Sequence, residues 1–276
     1  MYLKFYNLER LPFENVPDPY FFYYSKEHRE ALARLEYVVS VKKPLCLLTG
    51  EYGSGKTLLA YTLRNMLSQR NFHVAYIGDP LLPPDEFLHH LFFSFSHSVD
   101  STANIGEKLF LKKVEVLHLL CEVLRRNVEI GKHTVAIIDE AHLVENIKLF
   151  EEIRVLLNYI IDNNFALTVI LMGQTELREK LAALPQLKQR VNYHYHLQNL
   201  DLEEVDEYIR HRLTAAGHPD GNIFHKPAVQ EIYNITLGLP RSINNLCDVC
   251  LMIGFDKGVE KIDKEIVLEA KREVLL

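Results

Sequence analysis

Apolar and polar residues alternate along the middle of this 276-residue chain in a pattern that predicts strands and helices in turn. Short apolar runs of strand length occur at residues 45–49, 73–77, 135–138, 167–172 and 193–197. Helical spacing of apolar residues separates these runs, at residues 57–69, 85–95, 107–129, 145–161 and 175–183. Strands that alternate with helices build a parallel sheet with helices on both faces, so the pattern predicts an α/β fold.

The two ends of the chain follow other patterns. Residues 1–24 contain nine of the 28 phenylalanines and tyrosines together with three prolines, which is incompatible with a regular helix. In this aromatic arm, we expect the segment from Tyr20 to Tyr24 either to pack on the sheet edge and line the adenine pocket, or to dock on the next subunit or a partner. After residue 200 the strand patterns stop, and helix starts at Asp201, Pro227, Pro240 and Asp263 predict a small helical domain. The predicted organisation is an arm (1–24), a sheet domain (25–200) and a helical domain (201–276).

Composition excludes several classes of protein. The chain is 48% hydrophobic and 25% charged, with 31 basic and 37 acidic residues and a net charge of −6, values that exclude a disordered tail and a strongly basic nucleic-acid coat. Four cysteines are too few for a disulfide framework and fit a reducing compartment. The first residues lack the apolar core of a signal peptide, and no stretch without Asp, Glu, Lys or Arg exceeds 13 residues, so no membrane span is predicted. The sequence therefore predicts a cytoplasmic protein.

The clearest chemical motif follows the first predicted strand and opens a helix. It matches the phosphate-binding pattern G-x-x-x-x-G-K-[ST] and consists of Gly50, Glu51, Tyr52, Gly53, Ser54, Gly55, Lys56 and Thr57. The glycines allow backbone N–H groups to turn toward an anion, and the helix N-terminus adds partial positive charge. We expect Lys56 to reach the terminal phosphates of ATP and Thr57 to offer its hydroxyl to Mg²⁺.

Two carboxylates follow the third predicted strand. Asp139 and Glu140 come directly after the apolar run at residues 135–138, at the strand end where open α/β sheets bind ligands. We expect Asp139 to hold Mg²⁺ and Glu140 to polarise the water that attacks the γ-phosphate of ATP. Gln174, after the fourth strand, is expected to help place that water, although an ordinary polar turn residue is the alternative.

Two arginines compete for the negative charge that develops on the γ-phosphate during its transfer. Arg190 precedes the fifth strand and would act in trans on a neighbouring subunit. Arg241 opens a helix of the helical domain and would act in cis when that domain closes over the phosphates. An ordinary surface arginine is the alternative at either position.

Taken in order, these motifs resemble those of the AAA+ ATPases of the ExeA/GspA type, the general secretion pathway protein A-like group, which is related to transposon target-selection ATPases. The resemblance covers nearly the whole chain and includes Ser25-x-x-His28-Arg29-Glu30, Asp139-Glu140-Ala141-His142 and Pro240-Arg241-x-Ile243-Asn244. It implies a P-loop NTPase fold of the AAA+/ASCE class, with a parallel sheet in the order 5-1-4-3-2 and a C-terminal helical lid. It also implies Gln174 as sensor 1, Arg190 as arginine finger, Arg241 as sensor 2, and ATP-dependent assembly into homo-oligomeric rings or filaments.

The sequence leaves the cellular role open. We expect ATP hydrolysis that controls oligomerisation and the binding of a protein partner whose identity is unknown. The alternatives are a DNA-associated transposition regulator, a type II secretion or envelope assembly ATPase, and a nucleotide-binding switch with little turnover. Residues 201–276 hold 9 basic and 14 acidic side chains, so any DNA would have to bind the earlier residues. A cluster of basic residues there forms either a strip in a ring lumen or a solvated helix face: Lys108, Lys112, Lys113, Arg125 and Arg126.

Overall fold

The five predicted strands form one parallel sheet in a computed structural model that describes residues 2–96 and 111–274. They are β1 (Leu45–Gly50), β2 (Phe72–Ile77), β3 (His133–Ile138), β4 (Leu167–Gly173) and β5 (Val191–Leu197). Their order across the sheet is β2-β3-β4-β1-β5, which confirms the predicted order 5-1-4-3-2. Every residue of β1, β3 and β4 is buried, as expected for central strands whose two faces are both covered.

Helices connect and follow these strands. In chain order they are α1 (Tyr2–Phe5), α2 (Lys26–Ser40), α3 (Lys56–Ser68), α4 (Pro84–Ser96), α5 (Lys113–Glu129), α6 (Ile147–Leu156), α7 (Glu176–Ala182), α8 (Pro185–Lys188), α9 (Leu202–Ala215), α10 (Lys226–Thr236), α11 (Pro240–Asp256) and α12 (Lys264–Glu273). Two 3₁₀ turns lie at Pro19–Phe21 and Ala141–Leu143. Among residues 2–96 and 111–274, none of these helices has the length and apolar character required to cross a bilayer.

Two of the predicted helices differ from the observed ones. The helix predicted at residues 107–129 begins at Lys113, and its first four predicted residues, including Lys108, lie outside the described residues. The helix predicted at residues 145–161 ends at Leu156 and is followed by a small antiparallel hairpin, Ile160–Ile161 with Asn164–Phe165. Asp162 and Asn163 close this hairpin in the left-handed region, with φ of 50° and 61°. Such a two-residue turn is favoured by Asp and Asn and cannot continue a right-handed helix.

The chain divides into two compact units. The sheet unit comprises the described residues of 29–50 and 59–197, and the helical unit those of 1–28, 51–58 and 198–276. The core of the sheet unit is formed by the strands and by the apolar stripe of α4, in which Phe87, Leu91 and Phe95 are buried. Burial of such side chains is the main stabilising contribution to a fold of this kind.

The aromatic arm forms part of the core of the helical unit. The buried arm residues in this core are Tyr2, Tyr6, Leu8, Phe13 and Phe21. The hydroxyl of Tyr2 donates to Oδ1 of Asp248 at 2.6 Å, and that of Tyr6 donates to the carbonyl of Val259 at 3.0 Å, so both polar groups are satisfied inside this core. The two interpretations of the segment from Tyr20 to Tyr24 stay predictions.

Candidate functional site

The phosphate-binding pattern adopts a compact loop at the start of α3. Gly53 and Gly55 have φ of +85° and +94°, a backbone conformation that residues with a side chain rarely adopt. The ammonium group of Lys56 is buried and folds back over the loop, where Nζ donates to the carbonyl of Glu51 at 2.7 Å and lies 3.5 Å from Oγ of Ser54. Thr57, the next residue, is half-buried in the first turn of α3. The loop therefore has the glycine conformations and the buried cation that phosphate binding requires.

Arg241 contacts this loop from the first turn of α11. Its backbone N–H donates to the carbonyl of Gly53 at 3.2 Å. Its guanidinium lies 4.7 Å from the centre of the Tyr52 ring, and Nη1 donates to the Tyr52 hydroxyl at 2.6 Å. A cation over an aromatic face combined with a hydrogen bond is a directional contact, so Tyr52 fixes where this arginine points.

His28 is a second neighbour of the loop, and the sequence assigned it no role. Its Nδ1 lies 2.7 Å from Oγ of Ser25, and a Cβ added at Gly55 would lie 2.9 Å from its Nε2. Burial lowers the pKa of His28 to about 4, although a hydrogen bond with the backbone of Ser54 acts in the opposite direction. The ring is therefore neutral near pH 7 and packs on the loop as an uncharged group.

Asp139 is buried at the end of β3, as the strand pattern predicted. Its Oδ1 accepts a hydrogen bond from the backbone N–H of Glu140 at 2.9 Å, and its Oδ2 accepts one from the hydroxyl of Tyr76 at 3.2 Å. Burial and the neighbouring Asp139 carboxylate raise the pKa of Tyr76, so this hydroxyl keeps its proton and remains a donor. Tyr76 on β2 was not predicted, although its half-buried position in a strand of alternating burial marks it as a residue at the border of the core.

Glu140 and Gln174 lie on either side of one histidine. Glu140 follows β3 with φ of +49°, a left-handed conformation that is strained for a residue with a side chain. Its Oε2 lies 3.2 Å from Nδ1 of His142, and Nε2 of Gln174 lies 2.9 Å from Nε2 of the same ring. The structure thus brings together the two residues predicted to act on the attacking water, through His142, which the sequence places two positions after Glu140.

Arg190 lies elsewhere in the sheet unit. It immediately precedes β5, whose first residue, Val191, is level with Leu45 at the start of β1. Nη2 of Arg190 donates to Oδ1 of Asn158 at 2.5 Å, and the guanidinium lies 5.7 Å from the ring centre of Phe165 in the hairpin. Asp139 and Gln174 follow the carboxyl ends of parallel strands, so Arg190 is at the opposite edge of the sheet from them.

The residues near Asp139 suit a magnesium ion that arrives with a nucleotide. The carboxylate of Asp139 supplies oxygen donors, which Mg²⁺ prefers. In residues 2–96 and 111–274, no group of three or more His, Cys, Asp or Glu side chains could hold a metal ion. Mg²⁺ at nucleotide sites usually takes one or two protein oxygens and completes its shell with phosphate and water, so the single buried carboxylate of Asp139 fits this kind of site.

Comparison with known proteins agrees with these features. Residues 40–181 match a family model described as an AAA domain. General secretion pathway protein A of Aeromonas hydrophila is 37% identical over 265 residues, which cover 95% of this chain and 46% of that protein. The chain therefore spans about half the length of this relative.

Two solved structures show the same fold. The Aeropyrum pernix ORC2 protein in its ADPNP-ADP complexes has a TM-score of 0.70 at 15% identity, over 96% of this chain and 72% of that one. The Aeropyrum pernix ORC1 protein in complex with DNA has a TM-score of 0.65 at 18% identity, over 95% of this chain and 68% of that one. These likenesses confirm the predicted P-loop fold of the AAA+ class, with its helical C-terminal part.

Proposed function

Because this chain belongs to the AAA domain family, we propose that it binds ATP with Mg²⁺ through Gly50–Thr57 and hydrolyses it with Glu140. Glu140 takes a proton from a water molecule as the water oxygen bonds to the γ-phosphorus. The bond between that phosphorus and the bridging oxygen breaks, so ADP and inorganic phosphate leave. Asp139 and Thr57 would hold the magnesium ion, which would supply positive charge to neutralise the phosphates.

The geometry of the phosphate loop carries this proposal. Two glycines in the left-handed region and a buried lysine ammonium at the start of a 13-residue helix form a concave donor surface for phosphate.

The sheet topology supports the role of the two carboxylates. β1 leads directly into the phosphate loop, and β3 and β4 end at the same edge of the sheet as β1 because all three strands are parallel. Ligands of open parallel sheets bind outside the carboxyl ends of the strands. Asp139, Glu140 and Gln174 follow those strand ends, which supports their assignment to nucleotide chemistry.

Phosphate release and nucleotide binding test the proposal together. We expect Glu140→Gln to bind ATP as the wild type does and to lower turnover by at least about 100-fold, because the base is lost while the loop is intact. Lys56→Ala should abolish binding. Glu145→Gln and Lys148→Ala change exposed residues beyond the carboxylate pair and should leave both properties unchanged. Unchanged ATP affinity in Lys56→Ala, or full turnover in Glu140→Gln, would contradict the assignment.

We further propose that the nucleotide state controls assembly into a homo-oligomer and the binding of a partner. Arg190 supports this idea, because it lies at the opposite edge of the sheet from Glu140, the base proposed for its own chain. An arginine supplied by a neighbouring subunit acts only after assembly, so hydrolysis should be slow at low protein concentration.

The proposed setting is the cytoplasm, and the identity to general secretion pathway protein A favours a role in assembling an envelope complex. The likeness to an ORC1 protein in complex with DNA makes DNA association the second candidate. The basic cluster on α5 does not favour it, because Lys113 pairs with Glu152 and lies 3.9 Å from Asp85. Electron microscopy of Glu140→Gln with ATP decides between them: assembly without DNA supports the envelope role, and assembly only with duplex DNA supports the second candidate.

A further inference from the structure

His142 lies between the two side chains that we propose act on the attacking water. Its Nδ1 is 3.2 Å from Oε2 of Glu140, and its Nε2 is 2.9 Å from Nε2 of Gln174. Only about 10% of the His142 side chain is exposed. One imidazole, largely withdrawn from solvent, therefore contacts both residues.

The hydrogen-bond chemistry fixes the proton on this ring. The amide nitrogen of Gln174 only donates, so Nε2 of His142 must accept, and the proton of the neutral ring is on Nδ1. Nδ1 is buried and has no hydrogen bond of good geometry, while the Glu140 carboxylate oxygen is within reach of it. A buried donor without an acceptor is unfavourable, and catalytic hydrogen bonds often align only when substrate binds. A small rotation of the Glu140 carboxylate would complete this bond.

The surroundings hold the His142 ring in this place. A Cβ added at Gly173 would lie 3.1 Å from the backbone nitrogen of His142 and 3.2 Å from its Nδ1, so the glycine makes room for the ring. The ammonium group of Lys180 on α7 donates to the carbonyls of His142 and Val144. The backbone of the 3₁₀ turn is therefore tied to the helix that follows Gln174.

We propose that His142 is a positioning residue that orients Glu140 through Nδ1–H and couples its position to that of Gln174. This inference rests on the proposed hydrolysis by Glu140. A base is effective only when it is held within hydrogen-bond reach of its water, and a third group that orients the base is a recurring part of such sites. His142 contacts Glu140 and Gln174, which are proposed to act on the water, so its loss should affect turnover and leave nucleotide affinity intact.

Steady-state kinetics test this role. We expect His142→Ala to lower kcat by about 10- to 100-fold while KM for ATP stays within about twofold, because a positioning partner is lost and the phosphate loop is not. His142→Asn keeps a donor near the position of Nδ1 and should retain more turnover than His142→Gln, whose amide extends toward Gln174 instead. His142→Ala should cause no further loss in the Glu140→Gln background. His118→Ala, at an exposed histidine of α5, is the matched control.

A spectroscopic measurement tests the geometry independently of turnover. In ¹⁵N-labelled protein, the imidazole signal that disappears in His142→Gln should show the Nδ1–H tautomer and should shift in Glu140→Gln. A wild type without Glu140-dependent phosphate release would defeat the proposed hydrolysis. If the wild type does show Glu140-dependent phosphate release, any one of four results would contradict the role of His142 alone. The first two are His142→Ala turnover within twofold of the wild type, and turnover in His142→Asn that is equal to or lower than that in His142→Gln. The other two are additive losses with Glu140→Gln and an Nε2–H tautomer.

Discussion

Gly53 of the phosphate loop lies against Arg241 of α11. Its φ is +85°, and a Cβ at this position would lie 2.6 Å from Cβ of Arg241. The Arg241 backbone cannot withdraw without losing its hydrogen bond to the Gly53 carbonyl. We expect Gly53→Ala to weaken ATP binding by at least about tenfold, because an overpacked contact of this kind costs about 1–3 kcal/mol.

Gly258→Ala is the control for this prediction. Gly258 has φ of +68° and no atom within 4 Å of an added Cβ, so its substitution carries the left-handed strain without a collision. Titration with a fluorescent ATP analogue should therefore separate the two variants, and urea unfolding should show a cost of about 1 kcal/mol for Gly258→Ala. Equal ATP affinities would contradict the importance of the contact between Gly53 and Arg241.

At the scale of single residues, the sequence could predict the motif residues and could not predict the residues that contact them. The loop glycines, Lys56, Asp139 and Glu140 were predictable because their chemistry depends on spacing along the chain next to a strand. The contact of His28 with Gly55 joins residues 27 positions apart, and Tyr76 reaches Asp139 across 63 positions. Such contacts depend on which strands and helices become neighbours, and no local pattern encodes that.

Strand β3 has a buried histidine at its start as well as the two carboxylates that follow its end. His133 is the first residue of β3 and lies beside Thr168 of β4, whose hydroxyl donates its proton to the carbonyl of Lys43. The 2.8 Å contact between this hydroxyl and Nε2 of His133 therefore requires Nε2–H as donor. Nδ1 is then the unprotonated nitrogen, and it is buried without a hydrogen-bond partner. Burial, with a smaller contribution from Lys42, lowers the pKa of His133 to about 4. Protonation at Nδ1 would place an unpaired charge inside the sheet.

This geometry predicts a loss of stability in mild acid. Between the unfolded pKa of about 6.5 and the folded value of about 4, the unfolded state binds a proton at His133 that the folded state does not. The free energy of unfolding should therefore decrease as pH falls, by about 2 kcal/mol between pH 7 and pH 5 from this residue. His133→Gln keeps a donor to Thr168 and does not titrate, so urea unfolding of this variant should show a smaller decrease. An unchanged pH dependence would contradict the assignment.

Element boundaries were predicted less well where two patterns compete. The helix predicted at residues 145–161 continues the apolar spacing of α6 through Tyr159 and Ile161, yet the chain turns after Leu156. Asp162 and Asn163 accept left-handed φ at low cost, and Ile160–Ile161 then pair with Asn164–Phe165. Helical periodicity alone could not reveal this hairpin, because Asp162 and Asn163 lie one and two positions beyond the apolar pattern.

At the scale of the whole molecule, strand order was predictable and the grouping of segments was not. Five strand-length runs separated by helices leave few arrangements, and the resemblance to AAA+ ATPases selected the order that the structure confirms. The surface that the arm packs on could not be predicted, because aromatic residues among prolines indicate docking without identifying the surface. Tyr23 illustrates this point: its ring packs on Tyr208 and its hydroxyl donates to Glu207 of α9, which lies 184 positions later in the chain.

The position of Arg190 leads to a prediction about the assembled protein. Six residues of β5 separate Val191 from the carboxyl edge of the sheet, a distance of about 20 Å that an arginine side chain cannot cross. If Arg190 acts on a phosphate, that phosphate belongs to another subunit. Arg190→Ala and Lys56→Ala should each be inactive, the first for lack of the arginine and the second for lack of bound nucleotide.

Mixing these two variants should restore phosphate release. In an equimolar oligomer, half of the subunits bind ATP and half of those face an intact arginine, so about a quarter of the wild-type rate is expected. The mixture of Arg190→Ala with the double variant Lys56→Ala/Arg190→Ala contains the same loops without any arginine and should stay inactive. Lys188→Ala, an exposed cation two positions earlier, should keep normal turnover. If Arg190→Ala is active by itself, independently of protein concentration, the γ-phosphate is stabilised within one chain. Arg241, whose guanidinium is held by its contact with Tyr52, would then be the arginine that stabilises it.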